Sequence, residues 1–243
     1  MRRISDILEN FLCFPEIDIA SLLAGRRPLI LAPHPDDESL GCGGLIAASC
    51  AAGLAPAVAI LTDGAASHPG SQTYPPEKLR ALREREAVCA AATLGLPPEN
   101  LYFLRAPDTR LPGTGPAFDT YVSRLGDIGD FHGCRIVLAP WAGDPHCDHE
   151  TTALMAARVS ADCGWALFSY PVWGWLRAGD DLFDEPRQQG WRLKISSQLA
   201  RKRRAIAAHQ SQYGGLILDS PTGFTLPPEL LRVFARNFEV YIA

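Results

Sequence analysis

Pro28-Leu29-Ile30-Leu31-Ala32-Pro33-His34-Pro35-Asp36-Asp37-Glu38 is the stretch on which the reading of this chain turns. Its first part, Pro28 to His34, is a short apolar run. Such a run suits a strand buried on both faces, as strands of parallel sheets are. Its second part packs a histidine and three acids where the strand gives way to a small-residue helix, expected over Glu38 to Leu54. In α/β sheets ligands gather at the carboxyl ends of strands. The stretch therefore predicts both an architecture and the place to search for chemistry.

The rest of the chain repeats the pattern. Strands are expected at Ala57–Thr62, Asn100–Arg105, Arg135–Ala139 and Trp165–Tyr170. Between them, Glu77–Leu94 reads as a helix that is charged on one face and alanine-rich on the other. Phe118–Ile128 and Asp148–Cys163 read as further helices. Two turn-rich loops, Ala65–Pro76 and Pro107–Pro116, follow the second and third strands. A basic helix is expected over Gln198–Gln212, and an apolar patch over Phe238–Ile242. Repeated βα units imply a mostly parallel sheet with helices on both sides and right-handed crossovers. The expectation is a single α/β domain over residues 1–243.

A second polar cluster, Asp144-Pro145-His146-Cys147-Asp148-His149, lies at the end of the fourth strand. The bland reading of the first cluster is helix capping, with Asp36 or Asp37 satisfying N–H groups at a positive helix end. The bland reading of the second is a polar loop capped by Asp148. Capping accounts for one acid in each cluster, but not for three acids beside His34 or for two histidines spaced by three. A catalytic zinc takes three nitrogen or oxygen ligands and keeps a position for water. His34, Asp37 and His149 supply that set. Asp36 is then free to act as general base. His146 can stabilise an oxyanion and protonate a leaving amine, with Asp148 holding its tautomer. Two histidines and a carboxylate also describe a non-haem iron site, so Zn²⁺ is expected and Fe²⁺ stays open.

These residues resemble the LmbE/PIG-L deacetylases. Ala32–Glu38 (APHPDDE) is similar to their AHPDDE motif, and DPHCDH at 144–149 to their HPDH motif, with Cys147 in place of the proline. Leu61–Gly64 (LTDG), Arg83–Gly95 (REREAVCAAATLG), Pro107-Asp108 and His209-Ser211-Gln212 resemble further family features. The resemblance spans about Pro28 to Gln212. It implies a Rossmann-like three-layer sandwich and hydrolysis of the N-acetyl group of an N-acetylglucosaminyl-type sugar or glycoconjugate. It also implies His34, Asp37 and His149 as zinc ligands, Asp36 as base, His146 as electrostatic catalyst, and Arg83 and Asp108 as sugar contacts. Rival readings are a metal-dependent hydrolase of another amide or ester bond, a phosphoester hydrolase, a non-haem iron oxygenase, and a non-catalytic sugar-binding module.

Composition narrows the partners. The net charge of −4 does not suggest a nucleic-acid binder. Seven cysteines, an odd number with no CxxC pair, argue against a disulfide framework and for reduced thiols in a cytoplasm. Asp6, Glu9 and Asn10 interrupt any signal-peptide core, and no apolar run reaches membrane-span length. The substrate is expected to be a small N-acetylated amino sugar; the oligomeric state is open.

Some features read more plainly. Gly41-Cys42-Gly43-Gly44 lacks dinucleotide spacing, because Ile46 stands where the third glycine belongs, and reads as close helix packing. Arg201–Arg204 reads as solvated charge. His209 reads equally as a residue behind the site or on the surface. Trp173, Trp175 and Arg177 follow the fifth strand and are rim candidates. Of these, Trp175 is expected to meet the aglycone; the bland reading is buried packing.

Overall fold

The computed structural model describes residues 1–184 and 186–243. In chain order the elements are β1 (Arg2–Arg3), α1 (Ile4–Leu12), β2 (Glu16–Ile17), α2 (Ile19–Leu23), β3 (Arg27–Ala32), α3 (Asp37–Ala51) and β4 (Ala57–Thr62). Next come α4 (Pro76–Leu94), β5 (Leu101–Ala106), α5 (Gly115–Phe131), β6 (Cys134–Pro140), α6 (Cys147–Cys163) and β7 (Ala166–Tyr170). The chain ends with β8 (Leu182–Phe183), β9 (Gly190–Lys194), α7 (Leu199–Ala208), α8 (Gln210–Tyr213), α9 (Pro228–Phe234) and β10 (Phe238–Ile242).

Eight strands form one sheet in the order β2-β9-β10-β7-β6-β3-β4-β5. The run β7-β6-β3-β4-β5 is parallel throughout. β10 runs antiparallel to both β7 and β9. β3 sits at the centre with β4 on one side and β6 on the other, so the chain winds outward in both directions from it. That reversal leaves a crevice at the carboxyl ends of β3 and β6, where both polar motifs lie.

The side-chain period of two sorts each strand between two cores. Ile30, Val58, Ile136 and Leu138 face α3, α4 and α7, meeting Leu45, Ala90 and Ala205. Leu29, Leu31, Ala59 and Val137 face the other way, onto Val122 and Leu125 of α5 and Met155 and Val159 of α6. This is the expected three-layer α/β sandwich. α3 can lie close to its neighbours because of its glycines. A Cβ on Gly41 would fall 2.1 Å from Cδ2 of Tyr170, and one on Gly44 would fall 2.5 Å from Ile195 Cγ2. All seven cysteines are free. Among the described residues no helix is long and apolar enough to cross a membrane.

Three features depart from the sequence reading. The helix expected over Gln198–Gln212 breaks at His209, which has φ −78° and ψ 61° and separates α7 from α8. The Arg201–Arg204 run is not uniformly solvated: Lys202 is buried and pairs with Glu239 at 2.7 Å. The N-terminal segment, given no element by the pattern, forms α1. That helix buries Ile4, Ile7 and Phe11 against Trp141, Val240 and Ile242.

Candidate active site

The two motifs meet in the crevice. After β3 the chain turns through His34 and Pro35 into α3, and Asp36 stands at the helix boundary with φ 144° and ψ −28°. That backbone region is strained for a residue with a side chain and is of the kind that clusters at functional sites. Asp36 makes no capping bond through its side chain. The turn is held from outside. Glu38 Oε2 accepts the Asp36 N–H at 3.0 Å, and Arg83 Nη2 donates to the Pro35 carbonyl at 2.8 Å. Asp36 is thus not a side-chain cap, and the acid that tethers the helix start is Glu38.

Asp37 Oδ2 is the hub. It accepts the N–H of His34 at 3.0 Å, and it lies 3.2 Å from His34 Nδ1 and 3.2 Å from His149 Nε2. His149 Nε2 is nevertheless a buried nitrogen without a hydrogen bond. It sits beside the carboxylate oxygen and is not aligned with it. The far nitrogens of both rings are committed to carboxylates. His149 Nδ1 meets Asp144 Oδ2 at 3.0 Å, and His34 Nε2 meets Asp148 Oδ2 at 3.2 Å and Asp108 Oδ1 at 3.3 Å. Asp144 is itself fixed by the N–H groups of Val172, Trp173 and Gly174.

This donor set fits a divalent metal. Ligands about 2.0–2.1 Å from a tetrahedral zinc stand roughly 3.3 Å apart, which matches the two 3.2 Å spacings around Asp37. Metal-bound histidines commonly give their second nitrogen to a carboxylate, and both rings do so here. Three other donor groups are also present among the described residues, each with its ligand atoms within 4.8 Å of one another: His34, His146 and His149; His146, Cys147 and Asp148; and His34, Asp108 and Asp148. The set built on Asp37 is the better match, since it brings a carboxylate and the unpaired nitrogen together.

Charge balance agrees. Burial disfavours a charged His34, yet Asp108, Asp148 and Asp37 outweigh it and raise its pKa well above the usual value. Burial likewise opposes charge on His149, but Asp37 and Asp144 lift it to about 9. Asp36 is raised to about 7, mainly by burial, with Arg83 pulling the other way from 3.4 Å. His146 is lowered by burial first and then by the His34 and His149 charges. Its Nδ1 accepts the Asp148 N–H at 3.2 Å, so a neutral ring carries its proton on Nε2.

Several expected roles change with these contacts. Asp148 does not hold the imidazole of His146. Its carboxylate turns to His34 and to the N–H groups of Thr109 and Leu111, and only its backbone reaches His146. Arg83 and Asp108 both line the cavity, but each is already engaged. Arg83 also donates to the Gly64 carbonyl at 2.8 Å, and Asp108 also accepts from the Ala66 N–H at 3.0 Å. Arg83 Nε remains a buried donor without a partner.

Trp175 is away from the cavity. It stacks edge-on against Phe11, lies under the Arg236 guanidinium and bonds the Pro171 carbonyl. Arg177 is also turned away, bonding the Gly143 carbonyl and covering Phe183. Of the three rim candidates only Trp173 lines the cavity, which has a volume of about 340 Å³.

Other residues matter beyond the predicted site set, some of them weighed in the sequence and some not. Asp144 lay inside the quoted second motif and carried its own signal. His209 proves buried, 3.1 Å from Glu38 Oε1, behind the Asp36 turn. Ser211 bonds both oxygens of Glu86 on α4, and Gln212 reaches the cavity. Phe224 and Thr222 close its wall, and no motif announced them.

Residues 29–160, more than half of the chain, match the model of the PIG-L family, described as GlcNAc-PI de-N-acetylase. No curated protein matches the chain. Among solved structures, the conserved protein TT1542 from Thermus thermophilus is 28% identical, with a TM-score of 0.59 over 77% of this chain and 80% of that one. The N,N'-diacetylchitobiose deacetylase from Pyrococcus horikoshii is 19% identical, with a TM-score of 0.63 over 93% and 90%. The 4-carboxy-2-hydroxymuconate hydratase of Pseudomonas putida is 19% identical, with a TM-score of 0.56 over 75% and 78%. The last shows that the fold alone does not fix the reaction.

Proposed function

The chain belongs to the PIG-L family, and on that premise we propose that it is a zinc-dependent hydrolase removing the N-acetyl group from an N-acetylglucosaminyl-type sugar or glycoconjugate. The observation that carries this reading is the paired arrangement around Asp37. Two histidines each place one nitrogen 3.2 Å from the same carboxylate oxygen and give the other to an aspartate. His34, Asp37 and His149 would hold the metal. Zn²⁺ bound there would polarise the acetyl carbonyl and make water more acidic.

The protein's own residues supply the rest. Asp36, buried and raised to about 7, accepts the proton of the attacking water. His146, with its Nδ1 occupied by the Asp148 N–H, offers Nε2–H to the developing oxyanion, and the proton that Asp36 takes from water passes to the leaving amine. Asp144 and Asp148 orient His149 and His34. Asp108 and Arg83 line the same cavity and are assigned to the ring hydroxyls. The products are acetate and a free amine. Seven free thiols fit a reducing compartment, so the reaction is assigned to the cytoplasm.

The test is acetate release from a panel of N-acetylglucosaminides by zinc-loaded protein, with metal content measured in parallel. About one zinc per chain, and activity lost on chelation, are expected. Full activity in metal-free protein would overturn the mechanism. Release of some other product, with no acetate, would favour another hydrolase.

A further inference from the structure

The cavity has a polar floor and an apolar wall. The floor is the carboxylate and histidine set already described. The wall pairs Trp173, just after β7, with Phe224, from the loop before α9. Their rings meet edge to face with centroids 5.3 Å apart. The Phe224 side chain has no polar atom, so whatever part of a ligand lies against its ring gains by being apolar and not hydroxylated.

The wall is also held in place before any ligand arrives. The Phe224 N–H donates to the Ser67 carbonyl at 2.8 Å, and the Ser220 hydroxyl donates to the Pro69 carbonyl at 2.8 Å. Asp219 accepts from the Ser71 hydroxyl at 2.7 Å and from the Thr73 N–H at 2.8 Å. Gly223 is pressed against His68, where a Cβ would come within 2.5 Å of Cδ2. On the other side, the Trp173 N–H is fixed by Asp144 at 3.1 Å, so one residue braces both the His149 ring and the aromatic wall. A rigid wall loses little freedom on binding and so favours affinity.

We propose that Trp173 and Phe224 form an apolar subsite, and that the substrates are N-acetylated amino sugars carrying an alkyl or aryl group that packs there. The identity of the sugar rests on the deacetylase reading; the apolar subsite rests on the wall itself. The wall belongs to loops outside the two motifs, so it selects the attached group while the floor handles the acetamide.

Kinetics on free N-acetylglucosamine and on its phenyl glycoside, together with tryptophan fluorescence, test this. Phe224→Ala should lower the preference for the phenyl glycoside, measured as the ratio of kcat/KM values, by roughly 3- to 10-fold. Phe224→Leu, which keeps apolar bulk, should retain most of it. Phenyl glucosaminide should quench the wild-type emission at lower concentration than free glucosamine does, and Trp173→Phe should remove that quenching. Equal losses on both substrates in Phe224→Ala would mean that the wall stacks on the sugar ring itself, and would overturn the proposal. If neither substrate releases acetate, the deacetylase reading fails. The quenching difference and its loss in Trp173→Phe then still decide the subsite, and no difference in quenching overturns it.

Discussion

Helix α3 carries two buried charge clusters that follow opposite rules. Midway along it, Glu239 accepts the N–H groups of Gly44 at 2.6 Å and Leu45 at 2.8 Å, the Lys202 ammonium at 2.7 Å and the Tyr241 hydroxyl at 2.8 Å. Among the described residues, neither Lys202 nor Glu239 has a buried polar atom without a partner. At the start of the same helix, His149 Nε2 and Arg83 Nε have none, and Asp36 holds a strained backbone. Burial does not separate the two clusters, since Glu239 is 4% exposed and Asp36 is 5% exposed. Saturation does. Buried polar groups are normally all paired, so a cluster that leaves donors and lone pairs unspent has them for a ligand. The first cluster fastens β10 and α7 to α3, and the second is where we place catalysis.

The contrast breaks most visibly if ligand removal acts like removal of a structural pair. Asp37→Ala and His149→Ala should empty the metal site and take activity below detection while the fold persists, read by metal analysis and circular dichroism. Asp144→Asn should weaken metal binding about 10- to 100-fold, as loss of a carboxylate behind a metal-bound histidine does. A competition titration with a chelator measures it. Asp36→Asn should keep the metal but lose roughly 10² to 10⁴ in kcat, the range for a general base. If it instead empties the site, Asp36 is a ligand and the division of roles at the helix start is wrong.

At the other cluster the expected losses are in stability. Lys202→Met leaves Glu239 buried without its cation and should cost about 3–5 kcal/mol of unfolding free energy. Adding Glu239→Gln should recover much of that, and kcat should follow neither change; denaturant melts of the single and double variants read the recovery. The smallest effect sharpens the contrast from the strained side. Asp36→Gly should be more stable than Asp36→Ala by about 1 kcal/mol, because glycine tolerates the positive φ. Both should lose kcat as Asp36→Asn does. Equal melting temperatures would show that the turn stores no strain.

How much of this was legible follows from how local each signal is. β4 is legible to the residue, because a strand buried on both faces is a continuous apolar run. The residues of the Asp37 cluster were legible because each lies at a strand end within a short, dense motif. The sequence points to Trp175 for the cavity, and the structure puts Trp173 there instead. They stand two apart in one turn of 3-10 helix, yet one lines the cavity and the other packs on Phe11 from α1, more than a hundred residues earlier. The basic run hid Lys202 in the same way, since nothing nearby announces Glu239. For His209 the sequence leaves a place behind the site and a place on the surface equally open, and only Glu38 beneath it decides between them.

The sequence by itself therefore determined the βα order, the two polar motifs and the family resemblance, all of which depend on periodicity or on residues within a few positions of one another. Only the tertiary structure decided that Asp148 serves His34 and not His146, that Asp144 braces both His149 and the aromatic wall, and that Phe224 closes the cavity. Those pairings join residues far apart in the chain. Their geometry is set by how the sheet's crossovers and the loops beyond its strand ends pack together, and no local pattern records that.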